Sequence, residues 1–121
     1  MLKKSLHQAP QFLAGDHTHL REILHPNNDG VAVNYSIAHA FLPKGKAYLP
    51  HRLQSSETYY ILSGSGTIHI DGEQQPLAAN DLCWVPPNAL QHVENTGETS
   101  LVFLCIVEPY WRPEEETIAG D

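Results

Sequence analysis

A chain of 121 residues and 13.5 kDa, 41% hydrophobic and 17% charged, is long enough for one core and apolar enough to fold it. Seven Lys and Arg against fourteen Asp and Glu, a formal net charge of −7, exclude the concentrated basic surface that nucleic-acid binding needs. No run of about 18 apolar residues is present to cross a membrane, so neither nucleic acid nor lipid is an expected partner.

Met1 to Gln8 contains Lys3 and Lys4 but no apolar stretch of the kind a secretory signal requires. Cys83 and Cys105 lie inside apolar runs, without the C-x-x-C spacing of redox or zinc sites, and read as free thiols of the reducing cytoplasm. Histidine is the outlier. Eight His exceed all Lys and Arg together, and imidazole is both the commonest metal ligand and the side chain that titrates near neutrality.

In chain order, residues 1–29 read as an N-terminal arm and a strand region. Thr18 to His25 alternates as well as it cycles, and Pro26-Asn27-Asn28-Asp29-Gly30 makes a turn. Val31 to Leu42 is rich in β-branched and aromatic residues and ends at Pro43-Lys44-Gly45. Tyr59 to Leu62 leads into Ser63-Gly64-Ser65-Gly66, and Thr67 to Ile70 then alternates up to Asp71-Gly72. Asp-Gly between alternating residues predicts a hairpin, because a type I′ turn needs positive φ at both central positions. Leu82 to Val85 is a further strand, stopped by Pro86-Pro87-Asn88, and His92 to Asn95 runs to a turn at Thr96-Gly97-Glu98. Leu101 to Val107, seven apolar residues in a row, reads as a strand buried on both faces. Residues 108–121 hold five carboxylates against Arg112 and read as a solvated acidic tail, with Tyr110 and Trp111 packing back over the domain or across a subunit boundary. Short strands at intervals of about 8–12 residues, punctuated by Gly and Pro, indicate one all-β domain centred on 30–107, a sandwich or a barrel.

The stretch that carries chemistry starts at Gly45. Gly45, His51, Glu57 and Gly64 fall in register with the pattern G-x5-H-x-H-x3,4-E-x6-G, and Pro86 and Asn95 with P-x-G-x2-H-x3-N. On these residues, over about 30–107, the chain resembles the cupin superfamily. The resemblance implies a double-stranded β-helix or jelly-roll barrel, pairing into a homodimer, and a divalent metal (Mn, Fe, Zn or Ni) held by His51 and Glu57. Positions 51 and 53 of an inward-facing strand point the same way, and Glu57 on the next strand can meet them.

Departures from the pattern bear on function. Leu53 stands at the second histidine of the first motif, and Asn88 replaces a glycine where Asn also tolerates left-handed geometry. In the second motif Gln91 occupies the histidine position, and His92 comes one residue late. A one-residue slip turns a strand side chain to the opposite face. Either Gln91 faces the cavity and offers its amide oxygen, which the unbroken Pro86-to-Asn95 spacing favours, or a bulge re-aims His92 inward. Tyr59 shares the face of Glu57; Tyr35 and Tyr48 also lie on strands or their ends. A phenol in such a cavity can act as a general acid or base, or can simply fill the core. His7, His17, His19, His25 and His69 read as surface residues, His39 as able to face either way, and Trp84 as packed.

Two functional readings stay open. The first is a metal-dependent enzyme of dioxygenase- or isomerase-like chemistry on a small organic molecule, built on His51 and Glu57 with Gln91 or His92. The second is a metal-free ligand-binding or sensing module in which Leu53 lines a more apolar pocket. A purely structural homodimer is a weaker third.

Overall fold

The computed structural model describes residues 1–119. Among these, β1 (Gln11–Leu13), β2 (His19–Leu24), β3 (Ser36–Leu42), β5 (Ser56–Ser63), β8 (Leu82–Val85) and β10 (Leu101–Glu108) form one sheet, in the order β1-β2-β3-β10-β5-β8. A second sheet runs β11-β4-β9-β6-β7, from β4 (His51–Leu53), β6 (Ser65–Ile70), β7 (Glu73–Ala78), β9 (Gln91–Glu94) and β11 (Glu116–Ile118). Every pairing is antiparallel. A single helical turn, α1 (Pro26–Asp29), separates β2 from β3 and closes at Gly30. The two sheets face each other as a jelly-roll barrel.

The core lies between them and follows the period of two. On β10, Leu101, Phe103, Cys105 and Val107 are buried, while Val102, Leu104 and Ile106 are half-buried on the outer face. The seven-residue apolar run is therefore covered on one face, not both. It occupies the centre of the six-stranded sheet, between β3 and β5, and its even-numbered residues form part of that sheet's outer surface. Trp84 belongs to the same surface and is exposed, since its neighbours Cys83 and Val85 take the inward positions of edge strand β8. The expectation that Trp84 packs does not hold.

Turn chemistry matches the sequence closely. Asp71 and Gly72 have φ of 49° and 86°, as a type I′ turn requires, and they join β6 to β7. β7 itself has no apolar alternation to announce it; as the last strand of its sheet it tolerates Pro76. Gly64 has φ +85°, and a Cβ there would lie 2.5 Å from the Ser100 carbonyl oxygen, so both conformation and space demand glycine. Asn88 takes the left-handed conformation at φ 67°.

The C-terminal segment departs most from expectation. Instead of a solvated tail, residues 116–118 pair with β4 in the register Glu116↔Leu53, Thr117↔Arg52, Ile118↔His51. Three residues are too few to show a period, and the strand exists because β4 offers it a free edge. Asp121, counted with the acidic tail, lies outside the described residues. Trp111 packs back on the domain: its N–H donates to Ser36 Oγ at 2.9 Å, and its carbonyl lies 2.8 Å from His25 Nε2.

Asn95 links three segments from a buried position. Its Nδ2 donates to the carbonyls of Leu42 (2.9 Å) and Thr99 (2.8 Å), and its Oδ1 accepts from Gly97 N–H at 3.0 Å. Replacement by Ala orphans the Leu42 carbonyl, which costs about 1–3 kcal/mol when left buried without a partner, while the Thr99 and Gly97 groups lie nearer to solvent. Asn95→Ala is expected to lower the urea midpoint by that order, whereas Thr96→Ala at the exposed neighbouring position should leave it nearly unchanged.

Candidate functional site

The barrel encloses a cavity of about 190 Å³, walled by inward side chains of the six-stranded sheet, by β4, and by the segments flanking β1 and β11. His51 opens β4 and is 2% exposed. Its Nδ1 lies 3.5 Å from Asp16 Oδ2 and 3.3 Å from the Leu49 carbonyl, and its Nε2 lies 3.8 Å from Glu57 Oε1. Each ring nitrogen thus faces an acceptor, an arrangement that suits the doubly protonated ring. Burial by itself would push the imidazolium down. The Glu57 carboxylate, with Asp16 and Glu116 behind it, outweighs burial and holds His51 up at about 9. At 3.8 Å Glu57 acts through its charge rather than a hydrogen bond.

Asp16 reaches this position from the turn between β1 and β2. Its Oδ1 accepts from Thr18 N–H at 3.0 Å, and its carbonyl accepts from Leu49 N–H at 2.6 Å, which ties the turn to the entry of β4. Glu116 arrives from β11, where it accepts from Trp111 Nε1 at 2.9 Å; burial raises its carboxyl above the usual range.

Opposite them runs a chain of hydroxyls. Tyr59 O–H lies 3.1 Å from Glu57 Oε1 and 2.5 Å from Gln91 Oε1, and Tyr48 O–H lies 2.5 Å from the Tyr59 oxygen. Tyr48 donating to Tyr59 leaves the Tyr59 proton for one of those two acceptors. Burial, and then the Glu57 charge, hold both phenols protonated. Cys105, also on the cavity wall, keeps its thiol proton for the same reasons.

Gln91 pairs with His51 across β4 and β9 and is 1% exposed. β9 runs against β6 in unbroken register, Gln91↔Ile70 through Glu94↔Thr67, so no bulge turns His92 inward. His92 instead stacks on His69 on the outer face, with ring centroids 4.2 Å apart and planes 3° from parallel. It is remote in orientation from His51, Glu57 and Gln91, which do come together. His39 is likewise on the outer face, where burial and then Arg21 lower its pKa. Leu53 points inward and forms part of the wall.

As a donor set for a divalent ion these residues fall short. Asp16 and Glu57 stand at opposite nitrogens of His51, so the imidazole lies between the carboxylates rather than beside them. The Gln91 amide oxygen lies 2.5 Å from the Tyr59 hydroxyl, whose one proton it shares with Glu57, and Leu53 supplies no ligand. Among the described residues no three His, Cys, Asp or Glu side chains converge as a metal-binding group. What the arrangement can do is hold an acid, the His51 imidazolium, beside a base, the Glu57 carboxylate, with a phenol poised between base and amide. Asp16, Glu116 and Cys105 were not legible as site residues: the first sits in a featureless turn, the second in an acidic stretch, the third in an apolar run.

Comparison with known proteins agrees with this architecture. Residues 38–107 match the family model described as a cupin domain. An uncharacterised protein of Methanocaldococcus jannaschii is 32% identical over 119 residues, 98% of this chain and 94% of that protein. A Thermotoga maritima protein named as oxalate-binding is 37% identical over 67 residues, 54% of this chain and 55% of that one. A crystal structure of a Thermotoga maritima protein described as a predicted oxalate decarboxylase superposes with a TM-score of 0.78 at 23% identity, covering 89% of this chain and 99% of that chain.

The site has a measurable electrostatic signature. Removing the Glu57 charge in Glu57→Gln should bring the His51 pKa down from about 9 by roughly one unit or more, read from its imidazole resonances; an unchanged value would show that Glu57 does not hold the proton. Because the folded-state pKa lies above the ordinary 6.5, the stability that His51 contributes is complete below pH 6.5 and is lost as pH rises through about 9. Wild-type Tm should therefore fall across that window, and His51→Gln should lose this dependence.

Proposed function

This chain belongs to the cupin family, and we propose that its barrel binds a small organic molecule in the cavity beside His51 and moves protons on it without a metal ion. The observation that carries this reading is the placement of Asp16 and Glu57 at the two nitrogens of His51, which keeps a proton donor in a largely apolar cavity. His51 would donate to a substrate oxygen, Glu57 would accept a proton from carbon or hydroxyl, and Tyr59 would orient the substrate through its hydroxyl. Reactions of that form are isomerisations and eliminations. The relative named as oxalate-binding supports a small-molecule ligand, although among the described residues lining this cavity there is no Lys or Arg to hold a dicarboxylate.

Metal analysis of protein purified without a histidine tag separates the two readings. The acid–base reading expects metal far below one per chain in wild type. Stoichiometric metal that disappears in His51→Ala and Gln91→Ala would instead support a divalent ion on His51, Glu57 and Gln91. In a substrate screen, His51→Gln should lower turnover of any hit by about 10²–10⁴-fold, the usual contribution of general acid–base catalysis; an unaltered rate would remove His51 from the chemistry.

A homodimer through the outer face of the six-stranded sheet also belongs to this reading. Phe41, Leu104 and Ile106 are half-buried there, and Leu62, Leu82 and Trp84 are 40%, 64% and 57% exposed, on adjoining strands. Contiguous apolar surface of this kind marks an interaction site more often than a monomer's free face, and a two-fold pairing would cover it with itself. The free Cys83 and Cys105 fit a cytoplasmic setting. Light scattering should give twice the chain mass for wild type and the chain mass for Leu82→Glu/Trp84→Glu; a variant that remains dimeric would place the interface elsewhere.

A further inference from the structure

The cavity at His51 has a neighbour. Between α1 and the C-terminal segment lies a more open recess of about 330 Å³, with His25, Asn27, Asn28 and Arg112 on its wall. Two residues, Glu22 and Trp111, border both spaces. They form the partition between the barrel interior and this recess.

Trp111 is fixed at its backbone and lightly held at its side chain. Its N–H donates to Ser36 Oγ at 2.9 Å, and its carbonyl lies 2.8 Å from His25 Nε2. Ser36 lines the cavity and His25 the recess, so the main chain at 111 is anchored across the boundary. The indole makes one hydrogen bond, from Nε1–H to Glu116 Oε2 at 2.9 Å, and Glu116 belongs to the cavity wall. Among the described residues no other ring stacks on it. Glu116 in turn is placed by the pairing of β11 with β4. Glu22, the other half of the partition, is held from the recess side, where Asn28 Nδ2 donates to its Oε1 at 2.5 Å.

Resting on the reading of this cavity as a small-molecule site, we propose that Trp111 determines how long a molecule the cavity accepts. Its indole, latched to Glu116, ends the cavity and limits the occupant to a single-ring organic molecule with a short side chain. Size is consistent: an apolar cavity of about 150 Å³ accepts benzene, and this one measures about 190 Å³. A longer chain has to pass the indole to reach the recess. Without the indole the two volumes join, and each methylene that becomes buried there is worth about fourfold in affinity. Glu116 is a positioning residue in this scheme: it acts through the indole, and all that the indole N–H requires of it is an acceptor oxygen.

Neutral probes keep the charges of the cavity out of the test. Benzyl alcohol, phenylpropanol and phenylpentanol, the latter two with ring and hydroxyl at opposite ends of the chain, are titrated into the full chain. Binding is followed on the backbone amide resonances of Leu53 and Phe103 in the cavity and of Asn27 and Asn28 in the recess. In wild type all three should shift Leu53 and Phe103, leave Asn27 and Asn28 in place, and bind no more tightly as the chain lengthens. In Trp111→Ala and in Glu116→Ala, each checked for folding by circular dichroism, phenylpentanol should bind about tenfold or more tightly than benzyl alcohol and move Asn27 and Asn28. Glu116→Gln keeps the acceptor oxygen and should retain the wild-type order; behaviour like that of Glu116→Ala would overturn the latch. If Trp111→Ala does not fold, Glu116→Ala decides. A wild type that gains as much from the longer chain, or folded Ala variants that keep the wild-type order, would overturn the inference and leave the cavity reading intact. No shift at Leu53 or Phe103 with any probe in wild type would overturn both.

Discussion

A charged imidazole inside a barrel must be neutralised where it stands. His51 is almost wholly enclosed, and burial alone would strip its proton. Its charge survives because carboxylates from other segments converge on it: Asp16 from the first turn, Glu57 from the strand that follows, and Glu116 from the last strand. The dependence is mutual, since without the imidazolium those carboxylates would share a cavity with no Lys or Arg among its described lining residues. Closure of the barrel at both ends of the chain and the electrostatics of its interior are thus one problem. The N-terminal turn and β11 are held to β4 by backbone hydrogen bonds, and they deliver the charges that β4 requires.

The second organising element is strict alternation. β4 and β5 send His51, Leu53, Glu57 and Tyr59 inward, and β9 sends in Gln91, so these groups of the site come from the inward positions of three strands. The same alternation sends His92 and His69 outward together, where they stack beside Glu94. It also gives the two sheets different outer surfaces. The five-stranded sheet presents Arg52, His69, His92 and Glu94, while the six-stranded sheet presents leucine, isoleucine and tryptophan.

Relative to the family pattern, two substitutions redirect the interior. Leucine at 53 replaces a ligand with an apolar wall, and glutamine at 91 provides an amide that Tyr59 engages. The remaining His51 stands with Glu57 Oε1 3.8 Å from one ring nitrogen and Asp16 Oδ2 3.5 Å from the other. The barrel is preserved, because the glycine at 64 and the asparagines at 88 and 95 are needed for turns and links that do not depend on what the cavity holds. Fold and chemistry are separable here for that reason.

Local sequence determined what depends on local physics. Strands at 82–85 and 101–107, the Asp71-Gly72 hairpin, the left-handed Asn88 and the inward Gln91 follow from apolar runs, turn preferences or unbroken spacing, each acting within a few residues, although the run at 101–107 hid which of its faces is covered. His51 and Glu57 were legible because they fall in register with the pattern on which the chain resembles the cupins. Tertiary structure decided the rest. Asp16 lies 35 positions before His51 and Glu116 lies 65 after it, in segments whose own residues say only "turn" and "acidic". Whether a carboxylate is solvated or aimed at a buried imidazole depends on which strand edge its segment finds, and that pairing is a long-range property with no local signature.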